Sequence, residues 1–373
     1  MRSVLFCCLL LASLTASAQK YFLFIGTYTG TGSKGIYVYQ FDAATGKAAW
    51  LSNTDSGSVV NPSFLAIAPG NSSLYACTET RTANAGGVSA FEFDRKTAKL
   101  SFINKQSSGG DNPAYVSVHK NGHWVFAGNY SGGSIAAFQV KEDGGIQPYS
   151  QLIQHEGKGV KRQQEKAHVH ATVFSPEGNY LFTPDLGTDK LHIYRFNDSV
   201  SQPLTAATVP FVQSTPGSGP RHFTFHPNGK WAYLVEELSG TVVAYNYKQG
   251  KLNQLQRIAT HADTATGEFS SADIHVSPDG KFLYASNRGK ENNIAVFKID
   301  KKTGRLSVAG YQSTMGIRPR NFCIDPTGNY LLAANQQTGN IVIFKRDKNT
   351  GKLNYTGQQI MISEPVCLKM IKY

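Results

Sequence analysis

Hydrophobic and polar positions alternate along most of this chain, and the alternation comes in recurring blocks. One block reads IYVYQFD from Ile36, VSAFEFD from Val88, IAAFQV from Ile135, LHIYRF from Leu191, VVAYNY from Val242, IAVFKID from Ile294 and IVIFKRD from Ile341. The seven copies start at intervals of 52, 47, 56, 51, 52 and 47 residues. A period of two with no helical i, i+3, i+4 stripe makes each copy a strand. Between successive copies runs a second ladder: NPSFLAIAP from Asn61, NPAYVSVHK from Asn112, HVHATVFSPEG from His168, GPRHFTFHPNG from Gly219, SADIHVSPDG from Ser271 and RPRNFCIDPTG from Arg318, with a last copy, EPVCLKMI, from Glu364. The first six pass through a turn, mostly Pro-x-Gly, into another apolar strand such as KFLYASN. Turns such as Lys301-Lys302-Thr303-Gly304 lead to a fourth strand.

Four short antiparallel strands, repeated seven times at this period, predict an all-β fold: a seven-bladed β-propeller. The ends of the chain predict how the ring closes. Tyr21 to Gly26 reads as a second strand with no first strand before it, and Val366 to Ile371 is a first strand with no second after it. Pairing the C-terminal strand with the N-terminal blade leaves no open edge.

The first residues change the picture at one point. A single Arg2, an apolar run from Val4 to Leu14 and the small residues Ala16-Ser17-Ala18 read as a signal peptide over 1–18, with the single propeller domain over 19–373. The run is too short to span a bilayer, so the expectation is a soluble exported protein, periplasmic in a Gram-negative source, with no membrane attachment after cleavage. Cys77, Cys323 and Cys367 have no CxxC spacing and read as core residues. The net charge of +12 is spread along the chain and is not interleaved with aromatics, which argues against a nucleic-acid partner. It fits a field that draws small anions toward a cleft.

Two ranks of residues break the strand pattern. Aligning the copies by their turns puts Ser63, Ala114, His170, Arg221, Ala272, Arg320 and Val366 at one position, at the mouth of the first strand. Beyond the second strand stand Tyr28, Glu79, Tyr130, Leu186, Glu237, Arg288 and Gln336, each preceded by a polar residue, among them Asp185, Glu236 and Asn287. Both ranks face one rim, and the first strand is innermost in a blade, so they converge on the axis and predict a small-molecule site suited to an anion. Singly, an arginine at a strand mouth reads first as the partner of a nearby carboxylate; equivalence across blades is what marks these. Strand alternation sets Glu236 and His222 on the other face, and His222, His226 and His275 read as structural. His168 and His170 share a face, but HxH without a third ligand is a poor metal motif, so no metal or other cofactor is expected. The loop with Lys158, Lys161, Arg162 and Lys166 reads as a solvated segment or a lid. Ser218 lacks any triad or elbow motif.

Taken together, RQ(x)E followed by HxH at Arg162 to His170, PDLGTDKLHIYRF from Pro184, GPRHFTFHPNGKWAYLVEEL from Gly219, SPDGKFLYASNRG from Ser277 and RPRNFCIDPTGNYLLAANQ from Arg318 resemble the lactonase family of seven-bladed propellers. That family contains propeller-type 6-phosphogluconolactonases and carboxymuconate-cyclising enzymes. The resemblance implies hydrolysis of an anionic sugar-acid lactone by directed water attack, with His170, Arg221, Glu237 and Arg288 as catalytic residues. Arg320, Gln336, His168, Asp185 and Asn287 are the expected substrate-binding residues. Either His170 or Glu237 suits the role of base, and a monomer is expected. A muconate-type lactonising cycloisomerase and a non-catalytic ligand-binding propeller are the alternatives.

Overall fold

The computed structural model describes residues 19–30, 32–55, 57–70, 72–80, 82–83 and 85–373. The segment read as a signal peptide lies outside the described residues. The described chain forms seven four-stranded antiparallel sheets arranged as blades, and its one helical turn is the 3-10 segment Arg162–Gln164. In the fifth blade, for example, the strands run outward in order as Pro220–Phe225, Trp231–Glu236, Thr241–Lys248 and Lys251–Ala259.

The first blade is built from both ends of the chain, as the unmatched strands predict. Pro365–Lys372 is its innermost strand and pairs antiparallel with Lys20–Thr27, from Tyr21 opposite Lys372 to Thr27 opposite Pro365. This closes the ring through the backbone hydrogen bonds between the two terminal strands.

Burial peaks in the second strand of each blade and falls toward the outer edge. Trp231–Glu236, Phe282–Asn287 and Tyr330–Asn335 are buried at every position because both of their faces meet neighbouring blades, whereas the outermost Lys251–Ala259 alternates between half-buried and exposed. The hydrophobic clusters accordingly lie between blades: Leu23 and Ile25 of the first blade pack with Leu332, Ala334 and Ile343 of the seventh, and Val235 of the fifth packs with Leu283 and Ala285 of the sixth. A blade alone would leave these faces in water, at a cost of roughly 1.5–3 kcal/mol for each large side chain exposed.

The Thr-Gly turns lock neighbouring blades together at the far rim. At Gly304, φ is 73° and an added Cβ would lie 2.5 Å from the Trp231 ring of the preceding blade, so only glycine fits. Tyr233 donates to the Gly304 carbonyl at 2.9 Å, and Tyr284 to that of Gly351 at 2.9 Å.

Candidate active site

The two ranks read from the sequence sit on two repeated backbone devices. At the mouth of the innermost strands, pairing slips by one residue: Pro220 faces Glu236 but His222 faces Val235, and Pro319 faces Asn335 but Asn321 faces Ala334. Arg221 and Arg320 are the extra residues. Ala114 and Val366 occupy the same bulge in their blades. A β-bulge turns its extra side chain out of the alternation, and here it turns toward the axis.

The second rank is fixed by a recurring hydrogen bond. The amides of Tyr28, Glu79, Tyr130, Leu186, Glu237, Arg288 and Gln336 donate to the carbonyls of Glu364, Asn61, Asn112, His168, Gly219, Ser270 and Arg318, at 2.7 to 3.1 Å. Five of these seven acceptor residues, Asn61, Asn112, Gly219, Arg318 and Glu364, precede a proline and have φ between 43° and 67°. Proline disfavours the helical region for its predecessor, and here the predecessor takes the left-handed one instead. Glycine and asparagine tolerate it; Arg318, at 67°, is strained, which is common where a side chain must be aimed at a ligand.

A cavity of about 480 Å³ opens between the ranks, and its polar lining includes His170, Glu237, Arg288, Arg318, Arg320 and Gln336. Glu237 is its electrostatic centre. Arg221 Nε lies 2.9 Å from one carboxylate oxygen and Arg288 Nη2 2.8 Å from the other. Burial alone would raise the Glu237 carboxyl, but Arg288, Arg221 and Arg320 outweigh it and hold it below the ordinary range. Arg221 itself is 1% exposed, and burial with the neighbouring Arg288 pushes it down to about 9, so it remains cationic at neutral pH.

A second pair stands across the cavity. Arg320 Nη2 lies 3.2 Å from Glu79 Oε2, and the Tyr28 hydroxyl donates to Glu79 Oε1 at 2.7 Å. Burial opposes the charge on Arg320, but Tyr28, Glu79 and Glu237 more than restore it. The two carboxylates thus engage Arg221, Arg288 and Arg320. No ion pair or side-chain hydrogen bond holds the guanidinium of Arg318 among the described residues, and it lines the same cavity.

His170 has the opposite character. Burial, then Arg221, His222 and Arg320, hold it well below 6.5, so the imidazole is neutral at pH 7. Its Nδ1 is buried without a hydrogen-bond partner among the described residues, and the Tyr130 ring meets the imidazole edge to face at 5.1 Å.

Three residues expected at the substrate are not brought to it. Asp185 is fully buried, with Oδ1 accepting from the amides of His168, Gly187 and Thr188 and Oδ2 2.9 Å from His155 Nδ1. Asn287 spends its amide on Thr260, Ser271 and Asn293. Both precede a rank residue on a strand and so point into the blade. His168 Nδ1 is bound to the Tyr130 carbonyl at 2.9 Å and Nε2 faces Glu165 at 3.2 Å. The basic loop is pinned instead of free: Lys161 donates to the Leu238 carbonyl at 2.8 Å and the buried Gln164 bonds Leu186 and Asp189. His155, Asp185 and His192 could be drawn together around an ion, but both nitrogens of His155 are engaged, by Asp185 and Tyr194.

Sequence reasoning missed Arg318, and left Tyr28, Glu79 and Tyr130 as rank members without a site. The signal for Arg318 was its rank: it stands before proline as Asn61 and Asn112 do, and both of those also line the cavity.

Residues 22–370 match the family model described as Lactonase, 7-bladed beta-propeller. The chain belongs to this lactonase family. Within it, the chain is 41% identical over 354 residues to the 6-phosphogluconolactonase of Formosa agariphila, covering 94% of this chain and 99% of that protein. To the 6-phosphogluconolactonase of Bacillus subtilis it is 38% identical, with the same coverage. Among solved structures similar to this lactonase-family chain is the periplasmic gluconolactonase of Pseudomonas aeruginosa, with a TM-score of 0.89 at 36% identity over 94% of this chain and 99% of that one.

Proposed function

We propose that the protein is a carboxylic ester hydrolase that opens a sugar-acid lactone in the axial cavity, 6-phosphogluconolactonase-like in chemistry. The observation that carries this reading is a neutral, cavity-lining His170 beside a group of guanidiniums larger than its carboxylates neutralise. The names of the relatives, two 6-phosphogluconolactonases and a gluconolactonase, support the substrate class. The periplasmic relative and the pattern of residues 1–18 support export to the periplasm.

In this reading His170 takes a proton from water as the water oxygen attacks the lactone carbonyl carbon. The carbonyl oxygen becomes an oxyanion held by guanidinium, and the arginines act as preorganised charge in a largely desolvated site. The ring C–O bond then breaks, His170 returns its proton to the departing oxygen, and the open-chain acid leaves. Glu237 is less suited to be the base, because both of its oxygens are taken by Arg221 and Arg288. Its role is to hold those two arginines. Arg318, Arg320 and Gln336 bind the substrate, while Asp185, Asn287 and His168 support the walls.

The test is acid release in a pH-stat, with glucono-δ-lactone and its 6-phosphate as substrates. Hydrolysis well above the spontaneous rate is expected on at least one of them. His170→Ala lowers the enzymatic rate by about 10²–10⁴-fold. Full rates from folded His170→Ala and Glu237→Gln variants would sink the mechanism, and tight binding of these lactones without turnover would make the protein a binding propeller.

A further inference from the structure

Below the cavity floor, Arg221 is one end of a buried polar chain that the reaction above does not use. Its Nη1 lies 2.5 Å from the Ala272 carbonyl and 3.1 Å from His222 Nε2. His222 Nδ1 lies 2.7 Å from Asp273 Oδ1. The Asp273 carboxylate also takes the Ile274 and Phe322 amides, the Asn321 side chain and His275 Nε2. Asn321 in turn accepts the Leu368 amide at 2.7 Å, so the chain ties the fifth, sixth, seventh and first blades together.

The chemistry along this chain has one direction. An arginine only donates, so His222 Nε2 must accept and must therefore carry no proton. The proton sits on Nδ1, and a carboxylate opposite Nδ1 enforces that tautomer. Asp273 fits the task, since every other neighbour it touches is a donor. Phe64, Tyr115 and His170 pack edge to face around His222, at 5.8, 5.4 and 5.4 Å, and leave the ring one orientation.

We propose that His222, with its tautomer set by Asp273, is a positioning residue for the lactone-opening reaction: it holds the Arg221 guanidinium in the plane from which Arg221 braces Glu237 and, through it, Arg288. This rests on the proposed lactonase reading of the cavity. Arg221 is fully buried and reaches the substrate only through the residues it orients, so a lost acceptor on Nη1 lets the Arg221, Glu237 and Arg288 array rotate. Misplacement on the scale of an ångström costs about a hundredfold in rate.

A double-mutant cycle read on kcat and KM separates this from a structural role. His222→Phe keeps the ring packing and deletes the acceptor. It lowers kcat by about ten- to a hundredfold with KM little changed, at an unchanged oligomeric state and near-native far-UV signal. His222→Gln, which restores one donor and one acceptor, recovers about tenfold over the Phe variant. In an Arg221→Ala background the Phe substitution changes the rate by less than about twofold, because its target is gone. If Arg221→Ala has no rate above the spontaneous one, Arg221→Lys serves as the background. Equal losses in both backgrounds, or a full rate in His222→Phe with Arg221 intact, overturn the proposal. A full rate in Arg221→Ala overturns the positioning role alone, whereas no hydrolysis above the spontaneous rate by the unaltered protein overturns the lactonase reading, which distinguishes the two failures. Independently of any variant, ¹⁵N-histidine spectra show His222 as the Nδ1–H tautomer at pH 7; the Nε2–H tautomer overturns the assignment.

Discussion

At one end of the innermost strands lies a cavity of about 480 Å³ lined by Arg288, Arg318, Arg320, Glu79, Glu237 and His170; at the other lies one of about 460 Å³ lined by Leu65, Ile67, Val116, Val118, Met370 and Ile371. Their sizes are nearly equal, although the first is lined from all seven blades and the second from the innermost strands of the first three. The difference is in the backbone. At the charged end the bulges at Ala114, Arg221, Arg320 and Val366 free one residue per strand from the alternation, and left-handed residues before proline aim the next rank inward. At the apolar end the ladders run unbroken, and the lining is mostly aliphatic, with Ser117 and Lys369 its polar members. Phe64 and Tyr115, stacked at 3.8 Å, stand between the two with His222 against them. Cavity volume therefore says little about chemistry in this ring, and departure from strand regularity says much.

The severest way to break the comparison is to delete Val366 to Tyr373, which removes a wall of the apolar cavity and opens the ring. The expected result is loss of the cooperative thermal transition, or a fall of more than about 10 °C in its midpoint, since several buried side chains and a full ladder are lost together. An unchanged midpoint would mean that the closing strand is dispensable. A milder intervention touches the charged end alone: Arg318→Ala raises KM for an anionic lactone by about tenfold, the worth of one charge-assisted contact, and leaves the melting temperature nearly unchanged because this guanidinium holds no other side chain among the described residues. Met370→Ala does the reverse at the apolar end. It lowers stability by roughly 1 kcal/mol and leaves kcat and KM as they were.

A further test distinguishes the ends by pH. Burial and then Arg221 hold His222 down at about 3, against an ordinary 6.5. Between those values the unfolded chain binds a proton that the folded chain refuses, so stability falls as the pH drops through this window, by roughly 1.4 kcal/mol per unit. Above 6.5 the term vanishes. Urea unfolding at pH 7 and 5 should show this slope in the native protein and a shallower one in His222→Phe, whereas Met370→Ala shifts both curves by the same amount.

The propeller, its seven blades and the closing strand were legible in the chain because each depends on periodicity, and periodicity survives without coordinates. The two ranks were legible for the same reason, as equivalent positions in successive copies. What alternation could not convey is where it stops. Asp185 and Asn287 looked like cavity residues by nearness in sequence, yet they precede the rank and face into the blade. Arg318 read only as the first residue of an innermost-strand copy, and its positive φ has no trace in the alternation. The pairing of Glu79 with Arg320 joins residues 241 apart and has no local trace. His222 and Asp273, by contrast, are 51 apart, one repeat interval, so their contact was written in the spacing and was obscured only by the alternation rule that set His222 aside.

The bulge has one more consequence. Because its residue is supernumerary to the ladder, it contributes no ladder partner whose loss would unzip the sheet. Serine, alanine, histidine, arginine, alanine, arginine and valine now stand around the circle, from Ser63 to Val366. They behave as seven sockets on a rigid mount. Re-equipping a vacant one such as Ala114 would change what the cavity recognises while the scaffold stays the same.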